Sequence, residues 1–367
     1  MKDFSFFMPS NIVFGAGKVR TLKSFIPSNI QRILIVTDPI VYDKCDIPRF
    51  VKNSLSQFKC FVYKEIEENP SFETIEKASH FAWENKVELI IGFGGGSPMD
   101  AAKGVAAFCR NSKPVLAYMN GESLHNEPLP IIQIPTTSGT GSEVTPYAIF
   151  TDTGAGLKKC FSHPKVFAKT AIIDPELTYS MPESVTRNTA MDVLCHAIEA
   201  YLSLDTFDLN DLYALESIKI VIENLPKAID KDKDGMDAMA YASALAGISI
   251  THASTILLHI MAYPLTIHYG LPHGLANGVL LPTFMDFMRR RSTSPEKIKK
   301  IDDLFKDVGG IRSFIESLGV QTKLSEHGIN NEEFLKYAEE TIVKDDVKIT
   351  PAKIDLQTIH QIYNSAF

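Results

Sequence analysis

The chain has 367 residues, 45% of them hydrophobic and 22% charged, with a formal net charge of −7; this is the profile of a globular protein with a large core, and the length fits two domains. No Lys/Arg cluster interleaves with aromatics, which excludes a nucleic-acid partner, and no apolar run reaches the ~18 residues that a membrane span needs. Five scattered cysteines (Cys45, Cys60, Cys109, Cys160 and Cys195) include no C-x-x-C pair; this argues against a disulfide framework and for a reducing, cytoplasmic location, as does the lack of an apolar leader with a small-residue cleavage site.

Gly15-Ala-Gly-Lys-Val-Arg20 lacks the third glycine of a G-x-G-x-x-G fingerprint and precedes the first clear strand-helix-strand unit, so it reads as a turn. Arg32-Ile-Leu-Ile-Val-Thr37 reads as a buried strand ended by Asp38. A carboxylate there is placed to accept hydrogen bonds from adenosine ribose hydroxyls and to repel a 2′-phosphate, which favours NAD over NADP. The competing reading is an Asp that opens a turn before Pro39. Residues 59–63 read as the next strand, 72–85 as a helix, and 87–93 as a strand running into Gly94-Gly-Gly-Ser-Pro-Met-Asp-Ala-Ala-Lys103. That order predicts a strand, a glycine turn and a helix, with Ser97 at the N-cap, Pro98 in the first helical position and Asp100 closing a capping-box-like pair. Glycines expose backbone N–H groups and a helix N-terminus adds positive potential, so the loop suits a pyrophosphate; a plain strand-to-helix turn is the alternative. Residues 131–134 read as a strand followed by a second polar loop, Pro135-Thr-Thr-Ser-Gly-Thr-Gly-Ser-Glu-Val-Thr145, whose hydroxyls suit phosphate or ribose oxygens. A further strand is read at 170–173. Apolar strands alternating with helices predict an α/β domain on a mostly parallel sheet covered on both faces.

Beyond Asp174-Pro175 the strand signals stop. Residues 184–203, 209–224, 237–258, 277–290, 294–306, 311–318 and 331–341 read as helices. The expected division is an NAD-binding α/β domain over 1–178 and an all-helical, metal-binding and substrate domain over 179–367. The mixed charges at 230–237 read as a solvated loop.

Four residues of the helical half are candidate ligands to one divalent metal: Asp192, His196, His259 and His273. A spacing of four places Asp192 and His196 on one helical face. His259 and His273 flank a stretch expected to break at Pro264, Gly270 and Pro272, which lets two distant imidazoles meet. Nitrogen and carboxylate donors without thiolates suit Fe²⁺, Zn²⁺ or Mn²⁺. His252 precedes His259 by two helical turns, so a pocket role beside the ligands is expected. His268 is expected in a loop, and Cys195, about 100° around the helix from His196, in the core.

Together these pieces resemble the iron-containing (group III) alcohol dehydrogenase family, whose fold is shared with dehydroquinate synthase. The resemblance runs from about Asn11 to Phe284 and rests on Gly94-Gly-Gly-Ser-Pro-Met-Asp100, the 135–145 loop, Asp174-Pro-Glu-Leu177, Asp192-x-x-x-His196-x-x-Glu199, and His259 with Pro272-His-Gly274. It implies metal ligands Asp192, His196, His259 and His273, and pyrophosphate contacts at Gly95, Gly96, Ser97, Pro98 and Met99. It also implies that Thr136 and Thr137 lie against the cofactor, Asn69 near the adenosine, and Lys158 at the nicotinamide ribose, with Lys159 the neighbouring alternative. One departure stands out: members often read His-x-Met-Ala-His-Pro-Leu from the third ligand, whereas here Tyr263 replaces the second of those histidines. His259, His273 and Tyr263 are the candidate catalytic groups. The implied reaction is hydride transfer between NAD(H) and a primary alcohol/aldehyde pair in a cleft between domains, with one Fe²⁺ or Zn²⁺ as Lewis acid and a homodimer or larger homo-oligomer as the assembly. Two other readings remain open: an NAD- and metal-dependent lyase of the dehydroquinate synthase type, and a non-catalytic NAD-binding protein. Scarce Lys/Arg around 259–273 disfavours the first, and the filled ligand set disfavours the second.

Overall fold

The computed structural model describes residues 2–111 and 113–367. Two compact units divide the chain: one comprises Phe7–Thr137 and Gly141–Ser180, the other Ser138–Thr140 and Met181–Phe367 with the N-terminal segment ending at Phe6.

The first unit runs β1 (Asn11–Phe14), β2 (Arg32–Val36), α1 (Pro39–Lys44), α2 (Ile47–Ser54), β3 (Lys59–Tyr63), α3 (Phe72–Glu84), β4 (Leu89–Gly94), α4 (Gly96–Phe108), α5 (Val115–Met119), β5 (Ile131–Pro135), β6 (Tyr147–Asp152), β7 (Leu157–Ser162) and β8 (Thr170–Ile173). β6 and β7 form an antiparallel hairpin; the others make one fully parallel sheet in the order β1-β8-β5-β4-β2-β3. The apolar strands are buried on both faces because side chains alternate. Ile33, Ile35, Leu89, Ile91, Phe93, Ile132 and Ile134 pack with Leu22, Ile47 and Leu55 on one side. Leu34, Val36, Ile90 and Ile131 pack with Ile75, Ala82, Ala101, Val105 and Phe108 on the other. The strand order reverses at β2, with β3 on one side and β4 on the other. The carboxyl ends of β2 and β4 therefore form a topological switch point, the place where open α/β sheets bind ligands.

The second unit is helical: α6 (Glu183–Leu202), α7 (Asp208–Ile229), α8 (Lys233–Ala253), α9 (Leu257–Tyr269), α10 (His273–Arg291), α11 (Pro295–Leu304), α12 (Ile311–Ser317), α13 (Phe334–Ile342) and α14 (Leu356–Ser365). α6 is buried along its whole second half, Ala190 to Leu202. α10 reaches it through two glycines one turn apart. A Cβ at Gly274 would stand 1.9 Å from the Asn188 carbonyl oxygen, and one at Gly278 2.9 Å from Met191 Cγ. Missing side chains thus set the approach of these two helices. Among the described residues, no single helix is long and apolar enough to cross a membrane.

The structure departs from the sequence reading at identifiable places. The helix expected over 237–258 is two helices: α8 ends at Ala253, Ser254 takes a left-handed φ of 57°, and α9 starts at Leu257. No Gly or Pro marks this break; tertiary bonds impose it, with the Ile256 N–H given to Glu199 and the Ser254 hydroxyl to Asp346. Conversely, Pro264 lies inside α9 without ending it, and the turn falls at Gly270, whose φ is 65°. Burial of Leu257 through Ala262 and of Leu265 carries the helix past the missing N–H. α4 begins at Gly96 with Gly95 as N-cap, so Ser97 is not the cap, and Asp100 bonds to a neighbouring loop instead of closing a capping box. β1 and the β6–β7 hairpin, absent from the sequence reading, complete the unit.

Candidate metal centre and dinucleotide-binding loops

At the switch point of the α/β unit, three chain segments meet. Asp38, just past β2, caps α1: its Oδ1 accepts the Val41 N–H at 2.9 Å. Its Oδ2 lies 3.4 Å from where a Cβ on Gly94 would stand. The turn-opening and ribose-facing readings of Asp38 are therefore compatible, since one oxygen caps the helix and the other faces the glycine loop. Gly94 admits no side chain, because a Cβ would lie 2.7 Å from Pro98 Cγ. The first turn of α4 has no side-chain cap, so Gly95, Gly96, Ser97, Pro98 and Met99 present an N-terminus suited to an anion. Ser97 Oγ accepts the Asn69 N–H at 3.2 Å. That bond leaves the Ser97 hydroxyl proton available to a phosphate oxygen. Thr136 gives its N–H to the Gly94 carbonyl at 2.9 Å, and the Thr137 side chain packs at 3.4 Å from the position of a Gly95 Cβ. Asn69, in a left-handed conformation (φ 55°), receives the Thr151 hydroxyl at its carbonyl. Thr151 pairs across the hairpin with Lys158, which is buried, whereas Lys159 on the opposite face pairs with Asp152 and Asn120. Alternation thus separates the two lysines, with Lys158 turned inward.

Sequence reasoning missed the support beneath this loop. Gln133, fully buried on β5, donates to the Met99 carbonyl at 2.9 Å, and Gly92 is glycine because a Cβ would sit 2.1 Å from the Gln133 side-chain oxygen. Buried Glu143 is pushed up to about 7, from an ordinary 4.5, by burial, with Lys103 opposing. A carboxyl whose folded pKa is raised keeps its proton between the two values, so its contribution is present below pH 4.5 and lost as pH rises through about 7. We expect the stability gap between Glu143→Gln and the parent to shift in favour of the variant by on the order of 2 kcal/mol between pH 5 and pH 8. Urea unfolding at the two pH values measures it; a gap independent of pH contradicts the assignment.

In the helical unit, α6, α9 and α10 bring four side chains to one point. The Nε2 atoms of His196, His259 and His273 lie 4.0, 3.9 and 4.0 Å from Asp192 Oδ1. The Nε2 atoms of His259 and His273 are 2.9 Å apart. Asp192, His196 and His259 are buried, and their donor atoms all lie within 4.8 Å of one another. Asp192, His196 and His259 are a donor set whose mutual spacing suits a divalent ion at roughly 2.0–2.2 Å from each, and His273, the more exposed fourth donor, reaches the set through its Nε2 beside that of His259. Outer bonds fix this orientation. Glu199, completely buried, faces His259 Nδ1 at 2.9 Å and accepts the main-chain N–H groups of Ile256 and His259 at 2.9 and 3.0 Å. A carboxylate only accepts, so the His259 proton sits on Nδ1 and the Nε2 lone pair is left for an ion. Asn277, one turn beyond His273, donates to Asp192 Oδ1 at 3.0 Å. Electrostatics match: burial holds the His196 imidazole down at about 4, hence neutral. Burial pushes the Asp192 carboxyl up, but the three imidazoles and Asn277 outweigh it and keep it ionised. The fit to one divalent cation is therefore good on donor type; at His259, burial pulls the imidazole down but Glu199 and Asp192 outweigh it and draw its pKa up, so an ion binding there displaces a proton.

The Tyr263 ring lies 5.4 Å from that of His273 and 6.2 Å from that of His259, beside the cluster. Two other histidines stand elsewhere. His252, in the last turn of α8 before the break, stacks on Phe6 at 4.3 Å, and its Nδ1 lies 2.8 Å from the Ile248 carbonyl oxygen. His268 is in the last turn of α9, not in a loop, and stacks on Tyr337 at 5.2 Å. Cys195 is fully buried in α6. Glu199 appeared in the sequence only within a motif, and Asn277 went unnoticed; its signal is the four-residue spacing from His273.

Comparison with known proteins places these features in context. Residues 9–175 match the iron-containing alcohol dehydrogenase family, and residues 186–367 match the C-terminal part of the Fe-containing alcohol dehydrogenase family. The chain is 37% identical over 295 residues to long-chain-alcohol dehydrogenase 1 of Geobacillus thermodenitrificans, covering 78% of this chain and 73% of the relative. The fold is similar to that of an iron-containing alcohol dehydrogenase from Thermotoga maritima, with a TM-score of 0.88, 34% identity and 99% of each chain covered. It is also similar to sulfoacetaldehyde reductase from Bifidobacterium kashiwanohense, solved in complex with NAD+, with a TM-score of 0.90, 26% identity, and 100% of this chain and 99% of the other covered.

Proposed function

We propose that this chain, which belongs to the iron-containing alcohol dehydrogenase family, is an NAD(H)-linked oxidoreductase that interconverts a primary alcohol and its aldehyde with one divalent metal. The observation that carries this reading is the convergence of three imidazole Nε2 atoms on one oxygen of Asp192. Asp192, His196, His259 and His273 are the proposed ligands. A bound ion supplies Lewis-acid polarisation of the substrate oxygen. The chain's own residues do the rest. Glu199 holds the His259 ring and Asn277 holds the Asp192 carboxylate. Tyr263 lines the substrate side of the ligands and offers the alcohol proton a polar outlet. Gly95 through Met99, with Thr136, Thr137, Asn69 and Lys158, bind the dinucleotide.

The relatives support this chemistry over the lyase and the non-catalytic readings, because they are alcohol or aldehyde oxidoreductases by name. The test is an aldehyde panel with NADH, run on protein freed of metal and then given Fe²⁺ or Zn²⁺. Metal-dependent net loss of NADH is expected; a lyase would recycle its cofactor and show none. Cytoplasmic location is part of the proposal, supported by five free cysteines, as is a homodimer, supported by the exposed Ile12 and Phe14 on edge strand β1.

The preference for NADH over NADPH rests on Asp38. Asp38→Asn keeps a side chain able to cap α1 but removes the charge. We expect KM for NADPH to fall roughly tenfold with little change for NADH, because a carboxylate beside a 2′-phosphate repels it. Equal NADPH kinetics in both proteins contradict a ribose-facing Asp38.

A further inference from the structure

Lys103 lies within α4 with no exposed surface, and the proposed reaction does not call on it. Its ammonium carries three N–H bonds, and the end of the second loop with the start of β6 supplies three acceptors: Ser142 Oγ at 2.7 Å, Thr145 Oγ1 at 3.2 Å and the Tyr147 carbonyl. One turn earlier, Asp100 grips the same segment. Its Oδ1 accepts the Ser142 hydroxyl at 2.6 Å, and its Oδ2 accepts the Ile149 N–H at 2.8 Å. Asp100 Oδ1 is also 3.5 Å from Lys103 Nζ, and Glu143 adds a second carboxyl, itself buried, that acts on the ammonium. Burial pulls the ammonium pKa down while Asp100 and Glu143 hold it up.

Buried charges seldom stabilise a fold more than apolar side chains of the same volume would, but they can fix a register. The register here is between the two loops assigned to the dinucleotide. At the near end, Thr136 is tied to Gly94 by one main-chain bond. At the far end, the 142–149 segment is tied to the body of the helix whose first turn holds Gly96 to Met99. We propose that Lys103 and Asp100 are positioning residues for the cofactor: together they clamp the 142–149 segment to α4, so that the N-terminus of that helix and Thr136–Thr137 are presented as one preformed site for the pyrophosphate and its adjoining ribose. This rests on the dinucleotide reading of the site. Preorganisation of this kind acts on binding and leaves the chemical step alone.

Lys103→Met keeps the side-chain length and removes the charge. Four quantities are measured on the metal-loaded protein: the thermal midpoint, amide hydrogen exchange over 136–149 without cofactor, the Kd of NADH from its fluorescence, and steady-state kinetics with an aldehyde that the parent reduces. The expected variant folds with a midpoint near that of the parent and exchanges 142–149 amides at least about tenfold faster. Its Kd and KM for NADH rise about tenfold, while kcat at saturating NADH and KM for the aldehyde stay within about threefold. Ser142→Ala, which leaves both charges in place, is expected to give the same pattern at about threefold, and it decides the matter if Lys103→Met does not fold. Unchanged exchange, or faster exchange with unaltered NADH affinity, overturns the positioning role. A parent that binds no NADH overturns the dinucleotide reading itself, while the exchange data still report whether the clamp exists.

Discussion

Asp192→Ala loses its metal and its turnover together. Bound metal, measured by mass spectrometry after dialysis, is expected to fall from about one ion per chain to below roughly a tenth, because the only anionic donor of the set is gone. Turnover falls by about 1000-fold or more, since polarisation of the substrate oxygen is worth several kcal/mol and each 1.4 kcal/mol is about a factor of ten. The fold survives: removing Asp192 takes a buried charge out of α6 and, among the described residues, deprives Asn277 of its hydrogen bond to Oδ1 and three imidazoles of a facing charge. NADH binding, carried by the α/β unit, stays within about threefold of the parent. A variant that keeps its ion, or retains a tenth of its turnover, removes Asp192 from the site.

The second large effect comes from a single methyl group. Gly274→Ala places a Cβ 1.9 Å from the Asn188 carbonyl oxygen and 3.1 Å from Asp192 Cβ. Neither neighbour is the mobile end of a flexible side chain, so α10 must shift away from α6. His273 and Asn277, which reach Asp192 from α10, move with it. We expect a loss of about 3 kcal/mol in stability, the upper end of overpacking costs, and a weakening of metal affinity by at least about 100-fold. Gly278→Ala, whose Cβ would meet the flexible Met191 side chain at 2.9 Å, is expected to cost about 1 kcal/mol and to retain the ion. Competition with a chelator and thermal unfolding of the two variants side by side measure both effects. Equal behaviour of the two would show that the close approach at Gly274 does not matter to the ligands.

The sheet was legible in the sequence because strands of a doubly covered parallel sheet are continuous apolar runs, as in Ile33 through Val36 and Ile131 through Ile134. β1, four residues long, and β7, which carries Lys158 and Lys159, give no such signal. The pairing of Asp192 with His196 was readable because both lie on one helix at a fixed spacing. The break at Ser254 was not, since a left-handed serine held by Asp346, with Ile256 held by Glu199 just after it, leaves no local mark. Nor were Gly274 and Asn277, whose roles arise only when α10 lies against α6. What a sequence displays here is what one element does alone. What two elements do to each other stays hidden until they are packed.

Glu199 steadies the His259 ring and, through Ile256 and His259, the first turn of α9 as well. Attempts to retune this enzyme toward other substrates therefore have unequal freedom around the same imidazole. Exchanging Tyr263 changes one ring beside the proposed ligands and the proton outlet proposed for it, whereas any alteration at position 199 puts the start of a helix and the proposed metal site at risk in one stroke.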